Sequence, residues 1–245
     1  MLIKPSCMIT AAALILSSFT VASNRAFAND DVFAQCTGND LDEMINGCTS
    51  IVQDKSVSAK NRAVAFNNRA NAYRRKSDYD RALPDYAESI RLNPRYALAY
   101  FGRSTAYFEQ NRLTEAKSDL DRAIRLNPKY ADAYYNRGNL HVASKDFGRA
   151  LKDYDRALRW NPKDDSCLGN RGQIRLLQSQ FTEALADYDA AIRINPLNAN
   201  NLYGLGIAKV SLGRLEDGKA DISAALKLDP NIADRYAQEG IPPVP

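Results

Sequence analysis

Residues 116–128 read AKSDLDRAIRLNP, residues 150–162 ALKDYDRALRWNP and residues 184–196 ALADYDAAIRINP. The three words start 34 residues apart, and each closes on Asn-Pro, at Pro128, Pro162 and Pro196. Within each word the apolar residues recur every three or four positions, the spacing of one helix face. The proline ring excludes the helical conformation from the residue before it, so the helix ends there each time. Residues 82–94 (ALPDYAESIRLNP) and the weaker 218–230 (GKADISAALKLDP) add stops at Pro94 and Pro230. The period thus runs five times without slippage.

The first half of each unit repeats too. NNRANAY at 67–73, FGRSTAY at 101–107, YNRGNLH at 135–141 and GNRGQIR at 169–175 place arginine in one column. Small residues recur in the first helix (Ala70, Ser104, Gly138, Gly172, Gly206) and the second (Ala82, Ala116, Ala150, Ala184, Gly218). Large ones recur at Phe66, Tyr100, Tyr134, Leu168 and Leu202, and at Tyr86, Leu120, Tyr154, Tyr188 and Ile222. Small against large lets helix backbones approach while a ring fills the neighbouring gap. The pattern resembles the tetratricopeptide repeat family, whose unit is a 34-residue pair of antiparallel helices. That resemblance implies an all-α fold, an α-solenoid winding as a right-handed superhelix, with repeats at 63–96, 97–130, 131–164, 165–198 and 199–230. Helical hairpins are expected at 63–92, 97–126, 131–160, 165–194 and 199–228, with no strands.

The ends depart from the period. Residues 1–28 carry an apolar run from Met8 to Val21 and then Ala26-Phe27-Ala28, the small-x-small pattern that signal peptidase cuts after. The run is about 14 residues, short of the ~20 that span a bilayer. A signal peptide cleaved after Ala28, and a periplasmic or secreted protein without a stable membrane span, are therefore expected. Of the four cysteines, Cys36, Cys48 and Cys167 then remain. In an oxidising compartment Cys36 and Cys48 are expected to pair, leaving Cys167 unpaired. Residues 29–62 read as an N-terminal cap, a lone helix over 40–53 held by that disulfide. Residues 231–245 read as a C-terminal cap, with a short helix over 232–239 ended by Gly240 and an extended proline-rich tail from Ile241. Pro84 lies about one turn inside a helix, where a local distortion is expected.

Catalytic chemistry is missing. Without Lys4 and Arg25 the chain has 31 basic against 29 acidic residues, a balance that calls for no nucleic-acid partner. There is one histidine, no P-loop, no His/Cys metal cluster and no nucleophile elbow, so no cofactor, metal or enzymatic activity is expected. Gly204-Leu205-Gly206 lacks the third glycine of a dinucleotide fingerprint. His141 shares a column with Tyr73, Tyr107, Arg175 and Lys209 and reads as a packing residue. The column Asp85, Asp119, Asp153, Asp187 and Asp221 places one carboxylate in each repeat, too far apart for an acid–base pair. It lies sixteen residues after Arg69, Arg103, Arg137 and Arg171, which predicts a ladder of partly buried pairs inside each hairpin. Leu205 breaks the ladder and leaves Asp221 without its arginine.

The resemblance implies a concave groove lined by the first helices, taking a peptide or protein partner. The groove candidates are Asn67, Asn71, Arg74, Phe101, Thr105, Phe108, Tyr135, Asn139, Gln173 and Tyr203, amides and aromatics suited to backbone hydrogen bonding and stacking. A cell-envelope glycan is the alternative ligand. Some members grip a chaperone's C-terminal carboxylate with Lys and Arg. Here the matching columns hold Asn67, Asn71, Asp132, Asn136, Ser166 and Asn170, so that activity is not expected. The sequence leaves the oligomeric state open.

Overall fold

The computed structural model of the chain describes residues 34–241. The expected signal peptide and its cleavage site lie outside the described residues, as do Pro242–Pro245. Among the described residues there are twelve helices and no strand. The first, α1 (Leu41–Gln53), stands alone. Five hairpins follow: α2 (Ala59–Arg75) with α3 (Tyr79–Leu92), α4 (Ala97–Glu109) with α5 (Leu113–Leu126), and α6 (Ala131–Ala143) with α7 (Phe147–Trp160). Then come α8 (Asp165–Leu177) with α9 (Phe181–Ile194), α10 (Ala199–Ser211) with α11 (Leu215–Leu228), and the short α12 (Ile232–Gln238). The chain divides into two compact units at Ala133/Tyr134, each described by itself below.

Local chemistry sets the helix limits. The Ser58 hydroxyl accepts from the Asn61 amide at 3.2 Å, which starts α2 one turn before residue 63. Asp146 and Asp164 cap α7 and α8 in the same way, at 3.1 and 2.9 Å. At the other end Asn93, Asn127, Asn161 and Asn195 swing to φ between −140° and −131°, the extended backbone that a following proline enforces. Pro84 does not break α3, which runs through it unbroken. It sits on the exposed side of the second turn, where water can satisfy the carbonyl that loses its partner.

The turn inside each hairpin is made one way five times. Ser77, Asn111, Lys145, Ser179 and Gly213 adopt φ from 57° to 82°, and the next amide reaches back to a carbonyl five residues earlier, as Asp146 N does to His141 O at 2.8 Å. Only Gly213 is at ease there, since a Cβ in the left-handed region crowds its own backbone. Lys145→Gly should therefore stabilise the protein by about 0.5–1 kcal/mol, the relief of that crowding less glycine's greater entropy in the unfolded chain. A urea midpoint unchanged or lowered would contradict it.

Tyrosines fill the cores. Tyr86 in the first unit and Tyr154 and Tyr188 in the second are 1% exposed or less. Tyr188 lies between Gly172 and Gly204, and a Cβ on Gly204 would stand 2.2 Å from its ring. At the N-terminal end α1 packs Met44, Cys48 and Ile51 against Ala65 and Ala72 of α2. Cys36 and Cys48 are disulfide-bonded and fully buried. Gly47 permits the closure, because a Cβ there would lie 2.8 Å from the Cys36 amide nitrogen. At the C-terminal end Gly240 turns the chain at φ 93°, and Ile241, the first residue of the expected extended tail, is buried.

Candidate functional site

The arginine column and the aspartate column meet inside each of the first four hairpins. Arg69 grips Asp85 with Nε and Nη2 at 2.7 and 2.8 Å, and Arg103 grips Asp119 at 2.7 and 2.9 Å. Arg137 holds Asp153 at 2.8 and 2.7 Å, and Arg171 holds Asp187 at 3.0 and 2.5 Å. Two parallel N–H donors on two carboxylate oxygens match the guanidinium fork to the acid. The aspartate side chains are 4–10% exposed and the arginines 16–22%, so these are pairs buried in protein. In the fifth hairpin Leu205 gives no cation, yet Asp221 is not left bare: Lys209 Nζ stands 2.6 Å from it.

Lys209 belongs to a column whose role the sequence reading underrated. In the first unit its members Tyr73 and Tyr107 lie under arginines, with the Arg81 and Arg112 guanidinium carbons 4.4 and 4.3 Å from the ring centres. In the second unit the column turns basic and faces the aspartates. Arg175 Nη1 is 2.6 Å from Asp187, and His141 Nε2 is 3.7 Å from Asp153. His141 is buried, as a packing residue would be, but against a carboxylate. The change from Tyr to His, Arg and Lys down one column was the available signal.

The first unit's groove candidates divide into spent and open groups. Asn67 is buried, and its amide nitrogen donates to Asn68. Asn71 accepts from the Tyr86 hydroxyl at 2.6 Å. Thr105 is buried and donates to the Phe101 carbonyl at 3.1 Å. Arg74 is already neutralised by Glu109 of the next repeat, at 2.5 Å, with both side chains under a fifth exposed. Burial pushes the Glu109 carboxyl up while Arg74 pulls it back. Glu109 escaped the sequence reading because its column carries no repeated residue. Phe101 and Phe108 remain half-buried, the Phe101 ring 4.9 Å from that of Tyr130.

The second unit's groove candidates are tied up in contacts within the protein. Asn139 accepts from the Tyr154 hydroxyl at 2.6 Å and from Asn170 at 3.1 Å, and Asn170 also donates to the Tyr135 hydroxyl at 3.2 Å. Tyr135 and Tyr203 are buried. Gln173 donates to Glu239, and the Tyr203 ring lies 4.8 Å from Tyr236, so the chain's own C-terminal segment covers both candidates. Cys167 is free and buried, and burial drives its thiol well above the usual range, far from a thiolate nucleophile. Among the described residues no group of His, Cys, Asp and Glu could hold a metal ion, and no helix is long and apolar enough to cross a membrane.

Models of the tetratricopeptide repeat match residues 63–96, 135–199 and 199–232, and a model described as a TPR repeat matches 105–145. A search of curated proteins found no match. Among solved structures, the chain is similar to YrrB, titled a TPR protein with an unusual peptide-binding site, at 22% identity and a TM-score of 0.62 over 79% of this chain and 96% of that one. Pseudomonas aeruginosa pilF gives 18% identity and a TM-score of 0.71 over 81% and 90%. MamA from Desulfovibrio magneticus RS-1 gives 16% and 0.60 over 69% and 96%. At these identities the likeness is one of fold.

Proposed function

We propose that this chain, whose 34-residue units are tetratricopeptide repeats, is a non-catalytic scaffold that binds a peptide or protein partner on the inner faces of its hairpins, outside the cytoplasm. The observation that carries the reading is the division of labour on the first unit's inner face. Its charges are neutralised within the protein, Arg74 by Glu109 and the ladder arginines by aspartates, while the Phe101 and Phe108 rings stay partly open. Such a face offers apolar area beside paired charges. It suits a protein segment better than a phosphate backbone, which needs unspent cations. The peptide-binding site named for YrrB supports the same reading. Location outside the cytoplasm is supported by the buried disulfide and by the apolar pattern of residues 1–28.

The test uses the chain from residue 29 onward against an array of peptides from envelope proteins. Phe101→Ser/Phe108→Ser should weaken capture about tenfold or more, as loss of partly open aromatic anchors does, with helicity retained by circular dichroism. Equal capture by both proteins would remove the face from the account. Sedimentation with purified cell-wall glycan, equal in wild type and variant, would favour the glycan in its place.

A further inference from the structure

The segment after α11 does not merely close the last hairpin. Tyr236 of α12 sets its ring edge-on to Tyr203, with centroids 4.8 Å apart, and its hydroxyl donates to the Asn200 carbonyl at 2.7 Å. Arg235 donates to the Asn200 side chain at 3.2 Å. The chain then leaves helical geometry, and Glu239 accepts from Gln173, 66 residues earlier on α8. Gly240 turns beside Leu177, and Ile241 enters one core with Tyr188 and Ile207. To touch α10 and α8 in succession the segment must run across helices, the course a ligand in the groove would take. The residues it meets fit that course by register: Tyr203 and Ile207 on α10 and Gln173 on α8 stand in the columns expected to line the groove.

The floor under it is polar. Tyr86 and Tyr154 each give their hydroxyl to an asparagine of the same hairpin, Asn71 or Asn139, at 2.6 Å. Tyr188 is their counterpart on α9, and Gln173 stands where those asparagines stand. Gln173 is turned to Glu239, and the buried Tyr188 hydroxyl is left to face Tyr236 of the segment in place of an amide of its own hairpin. The side chain of this face that completes the network elsewhere is here committed to the seated segment.

We infer that residues 232–241 are an intramolecular ligand of the second unit's inner face, and that the partner this face takes is a protein segment of the same chemistry. That chemistry is a tyrosine or similar aromatic, a carboxylate about one helical turn later, and an aliphatic residue just beyond a tight turn. Partner and segment then compete, and the partner's apparent affinity falls by the fraction of time the segment is seated. The inference rests on the reading that inner faces bind protein segments, and it adds the specificity and the regulation of one of them.

The probe is a fluorescent peptide of residues 229–245, titrated into the chain from residue 29 onward and into its Tyr236→Ala/Ile241→Asp variant, whose segment has lost both anchors. The variant should bind the peptide at least about tenfold more tightly than the parent chain. Adding Gln173→Ala, or placing Tyr236→Ala in the peptide, should undo the gain. A variant that keeps its helical circular dichroism and binds no better than the parent overturns the inference, leaving α12 a cap. If the variant unfolds, the parent chain decides the matter: excess unlabelled peptide should raise amide hydrogen exchange across 232–241, and unchanged exchange overturns it. Loss of capture through Phe101→Ser/Phe108→Ser with no gain on releasing the segment would sink this inference alone. No capture on any face, with tight binding of the peptide by the released variant, would sink the scaffold reading and leave the intramolecular ligand standing.

Discussion

Arg103→Ala should cost the first unit about 3–5 kcal/mol, because it strands Asp119 in a site from which water is nearly excluded. The Asp119 side chain is 8% exposed and takes both bonds of the Arg103 fork. The guanidinium also lies against the rings of Tyr100 and Tyr107, at 6.0 and 5.8 Å, so truncation loses packing as well as charge. Arg171→Ala is the informative comparison. Asp187 keeps Arg175 at 2.6 Å, so that loss should be milder, about 1–2 kcal/mol. Urea unfolding of the two variants measures the difference, and a double-mutant cycle on Arg103 and Asp119 isolates the pair. Equal costs at the two sites would refute the view that the second cation protects Asp187. Coupling near zero would remove the fork from the stability argument.

Cys36→Ala/Cys48→Ala should lower stability by about 3 kcal/mol. The bond joins residues 12 apart, and tying a loop of that size removes roughly this much entropy from the unfolded chain. Alanine keeps the buried site apolar beside Met44, Ile51 and Ala72, so the loss reports the cross-link and not a buried hydroxyl. Wild-type protein unfolded in dithiothreitol should show the same shift. A reduced protein as stable as the oxidised one would mean that α1 is held by packing alone.

How far the sequence could be read follows from what repeats. The 34-residue period exposes helix limits, because Asn-Pro forces an extended residue wherever it falls, and it exposes the ladder, because both columns recur at fixed offset. Features that occur once were not legible. Glu109 neutralises Arg74 without a counterpart in other repeats, so Arg74 looked like an open groove cation. Pro84 suggested a local distortion, and its exposed place in the second turn lets the helix run on through it. Asp221 looked orphaned because Lys209 sits one helical turn beyond the arginine column, and a shift of register hides from a column count. The covering of Gln173 and Tyr203 depends on contacts over 66 and 33 residues, made by a segment that follows the last period.

The arginine fork closes within a hairpin, and Arg171 adds a bond to a neighbouring one, from Nη1 to Asp155 at 2.6 Å. Each ladder aspartate therefore keeps its arginine when a repeat is gained or lost whole, by unequal recombination or by design, and the ion pairs at stake in such a change are those that cross a junction, as Arg74 with Glu109 and Arg171 with Asp155 do. What a junction does demand is steric: a small residue where Gly204 meets the ring of Tyr188. The number of hairpins is then free to drift while the surface that joins them is held to shape. A partner face can lengthen or shorten in steps of 34 residues without breaking any arginine fork.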